Sequence, residues 1–266
     1  MLSENGRAQL LSSRNLIASF DGVLDEEELR LRPRSGEALS QPAMVLGLAV
    51  HTHRLGALIL DLIERETAVA LVLPTLRACY EAALTAHWIA QSKNVAFAMF
   101  NEELRQRRGL QRSVRESISL NEIVEAIAHA DEEYLSGNAL TSKEQAQFIE
   151  QRLKDFDVGA EAYAYYRLLC GYTHAGASVV DQYLEEAAEG DAGAFTLLTE
   201  PSEAIPADAI VALTGCCLIW AGSAVRYISD DRIRRRQELR DAAAEFGIVP
   251  DLRLSFAAQD RQGRSR

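Results

Sequence analysis

Proline is scarce in this sequence and absent from its middle. The 266 residues contain six prolines, and none lies between positions 75 and 200. Because proline interrupts the interior of a helix, this distribution allows long uninterrupted helices in the centre of the chain. Alternating strand-like runs bounded by turn residues are also lacking, and the one short candidate, 195–199, does not by itself predict a sheet.

The sequence also lacks cysteine pairs with C-x-x-C spacing and a net positive charge. The four cysteines have no C-x-x-C spacing, which is unlike a zinc knuckle and favours reduced thiols in a cytoplasmic protein. The formal net charge is −11, which argues against a surface covered by a nucleic-acid footprint but allows a local basic cleft. His51 and His53 diverge by about 200° on a helix, which argues against shared metal ligation. Without a Gly-rich phosphate loop or a nucleophile elbow either, we expect no cofactor and no metal.

Long hydrophobic runs are limited to one segment, 209–225. Its 17 residues carry no charge, which is at the lower edge of what a bilayer span requires. Thr214, Gly215, Gly222 and Ser223 dilute its apolar character. We interpret it as a buried bundle helix rather than a membrane span. The N-terminus also lacks the basic-then-apolar pattern of a signal peptide, so the sequence predicts a cytoplasmic protein.

Helical periodicity is what the sequence has in abundance. Apolar residues recur at helical spacing, and alanine, leucine, glutamate and arginine dominate the composition. We predict an all-α, up-and-down helical bundle at 43–247, preceded by an N-terminal helix and connector at 1–42 and followed by a flexible tail at 248–266. The predicted helices are 6–20, 43–66, 69–92, 94–117, 120–135, 142–155, 160–187, 207–228 and a basic helix that ends at Gly247.

The predicted helix 160–187 carries the candidate catalytic residues, Arg167 and His174. Seven residues make two turns less about 20°, which places both side chains on one face, roughly 10 Å apart along the axis. Tyr163 and Asp181 lie near the same line. His174 is either an ordinary, partly buried histidine or a general acid or base, since imidazole titrates near neutral pH.

Small residues surround His174, among them Gly171, Thr173 and Gly176. Small side chains let a second helix approach closely. That helix could belong to a second copy of the chain or to the same monomer, and the sequence leaves both readings open.

Two stretches together resemble the HEPN superfamily. In that superfamily an arginine precedes a histidine by four to six intervening residues on the penultimate long helix, and here "LLCGYT" separates Arg167 from His174. The earlier stretch "LPTLRACYEAALTAHWIAQ" is similar to a bacterial HEPN-like subgroup, in which an arginine and a glutamate four apart precede an aromatic residue. Here these are Arg77, Glu81 and Trp88. The resemblance covers residues 43–228.

The resemblance implies a homodimer and, in many members, a metal-independent RNase with the arginine and histidine of both protomers in one cleft. It implies an endoribonuclease of a bacterial toxin, stress or phage-defence system, with an RNA substrate and an antitoxin or other partner protein. Arg167 and His174 would be catalytic. Residues in supporting roles would be Arg77, Glu81, Tyr163, Thr173 and Asp181.

The same residues admit a second interpretation. Active HEPN members commonly have a polar residue, often asparagine, after the arginine, whereas this chain has Leu168. The alternative is therefore a catalytically inactive HEPN-like module that binds a partner protein or a nucleotide. Under either interpretation, Arg77 and Glu81 are expected to form a structural ion pair between residues four apart on a helix, oriented toward Arg167, and a direct catalytic role for them is the alternative.

Overall fold

Helices make up nearly all the secondary structure of the residues that the computed structural model describes. Those residues are 2–24, 31–32, 39–115, 142–186, 195–202, 205–229 and 234–263. Within them the helices are α1 (Glu4–Leu24), α2 (Ser40–Glu64), α3 (Val69–Gln91), α4 (Val95–Arg115), α5 (Lys143–Gln147), α6 (Ile149–Leu153), α7 (Gly159–Gly171), α8 (Ala177–Val180), α9 (Ala207–Ile228), α10 (Arg234–Glu245) and α11 (Phe256–Gly263). The short strands β1 (Leu184–Glu186) and β2 (Phe195–Leu197) pair antiparallel.

The predicted all-α helical bundle is confirmed. The bounds of α9 coincide with the predicted helix 207–228, and α2 and α3 lie within a few residues of their predicted positions. The predicted helix 142–155 is divided into α5 and α6 at Phe148. The predicted helix 120–135 lies outside the described residues.

The centre of the bundle is α3, which packs against α2, α7 and α9. Its side chains Leu76, Leu84 and Trp88 are fully buried. At the crossing of α2 and α9, a Cβ atom on Gly56 would lie 2.9 Å from the Leu218 side chain. The close approach of the two helices therefore depends on glycine, which has no side chain, at this position. Most faces of α3 are covered by apolar packing, and its polar side chains Arg77 and Glu81 lie on the side that faces α7.

Among the residues that the structure describes, three helices are long and apolar enough to cross a membrane by length and composition alone: α2, α3 and α9. In α9, 67% of the most apolar window is buried inside the protein. The helix packs against α1, α2, α3 and α10, and this contact covers its uncharged residues. Residues 207–228 thus form a largely buried helix of the bundle, as the sequence predicted.

Residues 251–263 do not form the loose tail that the sequence predicted. Leu252, Leu254 and Ala258 are buried, and Phe256–Gly263 form the helix α11. Two backbone hydrogen bonds hold this segment, from the Ser255 amide to the Asp155 carbonyl at 2.6 Å and from the Asp157 amide to the Arg253 carbonyl at 3.0 Å. Long-range pairing with the segment between α6 and α7 thus orders residues whose own sequence has little periodicity.

Candidate functional site

The candidate residues Arg167 and His174 do not share one continuous helix. The predicted helix 160–187 is wrong, because α7 ends at Gly171 and the next helical turn, α8, begins only at Ala177. Arg167 lies in the last part of α7, whereas His174 lies in the connecting turn. Helical periodicity therefore does not align the two side chains.

Local chemistry explains where α7 stops. The Thr173 hydroxyl donates a hydrogen bond to the Leu169 carbonyl at 2.7 Å, which satisfies one of the acceptors that a helix end leaves free. Gly176 has an extended backbone that no helix can contain, with φ −156° and ψ −177°. The His174 amide still donates to the Cys170 carbonyl at 3.2 Å, a helix-type bond that keeps His174 within one turn of the end of α7.

Both candidate side chains face solvent at this end of α7. Arg167 and His174 are exposed, and within the described part of the chain neither side chain forms a hydrogen bond or ion pair. Apolar side chains are exposed beside them: Leu168 is 47% and Val180 51% accessible. An arginine and a histidine without partners, next to uncovered apolar surface, form a surface that can receive an anionic ligand or another protein.

Behind this surface, Arg77 joins α3 to α7. Its Nη2 donates to the Tyr166 hydroxyl at 2.7 Å, and its Nε donates to the Cys170 Sγ at 3.2 Å. Glu81, four residues further along α3, lies 3.4 Å from the Arg77 guanidinium. Burial, and then the charge of Glu81, raise the pKa of Tyr166 to about 12, so its hydroxyl stays protonated at neutral pH.

Next to this network lies a cavity of about 680 Å³ between α2 and α7. Thr85 and Arg152 are its most buried polar side chains. On its α7 side, the Tyr163 hydroxyl donates to a carboxylate oxygen of Glu150 at 3.1 Å. The polar and aromatic lining residues are His51, Arg77, Glu81, Thr85, Glu102, Glu103, Gln106, Gln147, Phe148, Glu150, Arg152, Tyr163 and Tyr166.

The structure brings together only part of the predicted site. Arg77, Glu81 and Tyr163 line the cavity, whereas Arg167 and His174 do not. The charge of Arg167 contributes to lowering the pKa of Glu150, a lining residue, after the larger contributions of Lys154 and Tyr163.

Two residues predicted to support the site have other positions. Asp181 is exposed beyond the turn, directly after α8. Thr173 is half-buried and engaged in ending α7, so its hydroxyl is committed to the backbone of its own helix. The Arg77 and Glu81 pair occurs as the sequence predicted for residues four apart, but the contacts of Arg77 on α7 are to Tyr166 and Cys170 rather than to Arg167.

Sequence analysis missed Tyr166, Glu150 and Arg152. Tyr166 precedes the candidate arginine and follows Tyr163 by three residues, so a helical projection would have placed both tyrosines on one side. No sequence signal marks Arg152, because its burial results from contacts with residues on other helices. Two of the other described histidines are structural: His53 stacks on Phe20, and the His87 ring bonds the Trp220 carbonyl and the Leu252 amide.

The fold and the site define an all-α bundle with a polar cavity beside the end of α7. A family model described as a family of unknown function, DUF5677, matches residues 43–192. The match spans more than half of the 266 residues and includes every predicted site residue, and the chain belongs to this family. Searches of curated proteins and of solved structures found no significant match.

Proposed function

We propose that this protein is a metal-independent endoribonuclease whose active site is formed by Arg167 and His174 of two protomers. The observation that carries the proposal is the solvent exposure of both side chains at the end of α7, where neither forms a hydrogen bond or ion pair with a described residue. A histidine held for structural reasons alone would make contacts like those of His53 and His87.

The chemistry of RNA cleavage requires the two kinds of group found here. A base removes the proton of the ribose 2′-hydroxyl, and an acid protonates the leaving 5′ oxygen. Histidine can serve in either role near neutral pH, so two protomers supply one of each. The guanidinium of Arg167 stabilises the negative charge of the phosphorane through two parallel hydrogen bonds.

Self-association is supported by the surface around the two residues. Leu168 and Val180 are exposed, and the neighbouring residues 175–178 are small and exposed, which allows a second copy to approach closely. We expect a cytoplasmic homodimer. The bacterial setting, a toxin, stress or phage-defence system with an antitoxin or other partner protein, rests on the HEPN resemblance.

The direct test is cleavage of 5′-labelled RNA by the purified protein in EDTA. We expect products ending in a 2′,3′-cyclic phosphate. His174→Ala should lower the rate by about 10²–10⁴-fold, the usual contribution of a general acid or base. Arg167→Lys should also lose activity, because an ammonium cannot reproduce the planar, two-pronged contact.

Matched controls are available on the same chain. His51→Ala removes another exposed histidine, and Arg240→Lys makes the same change at an exposed arginine of α10. Both variants should cleave RNA at the wild-type rate. Wild-type protein that leaves a diverse set of RNAs intact, or cleavage that persists in His174→Ala, would refute the proposal.

A second function is favoured by one observation, the exposed Leu168 directly after Arg167. An apolar side chain at this position suits a protein contact better than an RNA phosphate, as expected of a catalytically inactive interaction module. Leu168→Glu distinguishes the two functions when mass is measured by light scattering along with cleavage. If Leu168→Glu abolishes both the dimer and the cleavage of RNA, the composite active site is supported. Loss of the dimer from a protein that never cleaves RNA supports the interaction module.

A further inference from the structure

A buried arginine at the polar cavity forms no ion pair with any residue that the structure describes. Arg152 is only 6% accessible, yet within the described part of the chain it forms no ion pair. We propose that this cavity binds a small organic monocarboxylate, with the ligand carboxylate on Arg152. This inference does not depend on the ribonuclease proposal, because Arg167 and His174 lie outside the cavity lining.

Neutral acceptors hold the Arg152 guanidinium in place. Nε donates to the Gln145 carbonyl at 3.0 Å, Nη1 donates to the Thr85 hydroxyl at 2.6 Å, and Nη2 donates to the Ala146 carbonyl at 3.1 Å. A guanidinium has five N–H donors, so two remain without an acceptor among the described residues. A buried cation needs an anionic partner to offset its desolvation, and the cavity beside it has room for one.

The carboxylates that line the cavity are already paired with other cations. Each of the four glutamates forms an ion pair with a residue three or four positions away, and none of these pairs includes Arg152. The pairs are Glu81 with Arg77 at 3.4 Å, Glu102 with Arg105 at 2.6 Å, Glu103 with Arg107 at 2.7 Å, and Glu150 with Lys154 at 2.8 Å. Among the described residues that line the cavity, Arg152 is thus the cation without an ion-pair partner, and its charge can bind a ligand.

The same four glutamates select the type of anion. A dianionic phosphate would meet four carboxylates around the cavity, whereas a monocarboxylate brings a single charge and matches the planar fork of the guanidinium. The cavity of about 680 Å³ falls within the usual size range of small-molecule sites. The rings of Tyr163 and Tyr166, stacked at 6.4 Å, together with Met99, provide an apolar wall for an aromatic or aliphatic tail.

A purely structural role for Arg152 makes different predictions. The guanidinium lies over the Trp88 ring at 5.8 Å and ties the segment around α5 to α3, which would be sufficient reason for its burial. In that case the cavity would bind carboxylates no better than neutral molecules of the same shape. Binding measurements therefore decide between the two roles.

The test uses the full chain with benzoate and hexanoate as probes, measured by saturation-transfer NMR and calorimetry at neutral pH. At least one of them should bind about tenfold or more tightly than its neutral amide, benzamide or hexanamide, since hydrogen bonds to a charged group are the strong ones. Inorganic phosphate should not displace the bound carboxylate from the cavity. Failure of both carboxylates to bind, equal binding of the amides, or displacement by phosphate would overturn the proposal.

Two variants locate the binding site. Ala78→Phe fills the cavity from α3 and should abolish carboxylate binding, whereas Ala244→Phe, at an exposed position of α10, should leave it unchanged. Arg152→Lys keeps the charge but loses the fork and should weaken binding about tenfold. If Arg152→Lys does not fold, as judged by its melting curve, Ala78→Phe decides alone. Unchanged affinity in Ala78→Phe would place the ligand elsewhere and overturn the proposal.

Discussion

The guanidinium of Arg77 on α3 donates a 2.7 Å hydrogen bond to the hydroxyl of Tyr166 on α7. The two residues are 89 positions apart in the chain, so the bond ties the centre of the bundle to the helix that carries Arg167. Burial raises the pKa of Tyr166 above its ordinary value near 10, so the acceptor is a protonated phenol even in moderately alkaline solution. The contact positions the end of α7 relative to the polar cavity.

A double-mutant cycle measures this tie. Tyr166→Phe keeps the ring and removes the acceptor, and Arg77→Met removes the donor while keeping most of the volume. We expect a coupling energy of about 1 kcal/mol between them in urea unfolding, as for a partly buried charged hydrogen bond. Arg65→Met, at an exposed arginine after α2, should show additive effects with Tyr166→Phe. Additivity for Arg77 as well would mean that the bond contributes nothing to stability.

The buried Asp155 carboxylate should anchor the C-terminal helix. It accepts hydrogen bonds from Trp88 Nε1 at 2.8 Å and from the Arg261 guanidinium at 2.6 Å. Asp155→Ala should lower the free energy of unfolding by about 2–4 kcal/mol, because it also leaves the buried indole N–H without an acceptor. Hydrogen exchange should show faster opening of residues 251–263.

Asp157→Ala is the control for this prediction, since Asp157 is exposed two residues further along. Its stability and its exchange pattern should match those of the wild type. If Asp155→Ala leaves the exchange of residues 251–263 unchanged, backbone pairing rather than this carboxylate holds the segment.

His53 should make the protein sensitive to acid. Burial lowers its pKa to about 3; its Nδ1 is 2.8 Å from the Ala49 carbonyl, and its Nε2 is buried without a partner among the described residues. Because the unfolded chain binds this proton near pH 6.5 and the folded chain does not, the free energy of unfolding falls as the pH falls from about 6.5 towards 3. The loss between pH 7 and 5 should be about 2 kcal/mol.

Three charged residues on three helices act on His53: Asp21 on α1, Arg54 on α2 and Arg235 on α10. His53→Gln should flatten the slope of stability against pH by about 2 kcal/mol over this range, whatever its effect at pH 7. The exposed His51→Gln should retain the wild-type slope. Equal slopes in all three proteins would show that His53 titrates normally in the folded state.

Fractionation of cells that express the protein checks the role of α9. Since its apolar residues pack against α1, α2, α3 and α10, we expect the native protein in the supernatant after high-speed centrifugation without detergent. Recovery solely from detergent-extracted membranes would contradict this. A carbonate wash would then separate a protein bound at the membrane surface from an inserted one.

Helix positions followed from the sequence because they depend on local properties. The scarcity of proline and the apolar periodicity predicted α2, α3 and α9 closely, and the uncharged run of α9 was enough to indicate its burial. The spacing of Arg77 and Glu81 likewise predicted their ion pair. These features involve residues within a few turns of one another.

Two kinds of feature did not follow from helical periodicity. One is local: periodicity predicted a single helix over 160–187, but α7 ends at Gly171, where the Thr173 hydroxyl bonds the Leu169 carbonyl. The other depends on long-range contacts. The burial of Arg152 depends on Thr85, 67 residues away, and no local pattern records such a partner. Residues near the C-terminus are ordered by pairing with the segment around Asp155. Local periodicity thus placed the main helices, whereas the cavity and the exposure of Arg167 and His174 arise from how those helices meet, because hydrogen bonds and packing join residues that are distant in the chain.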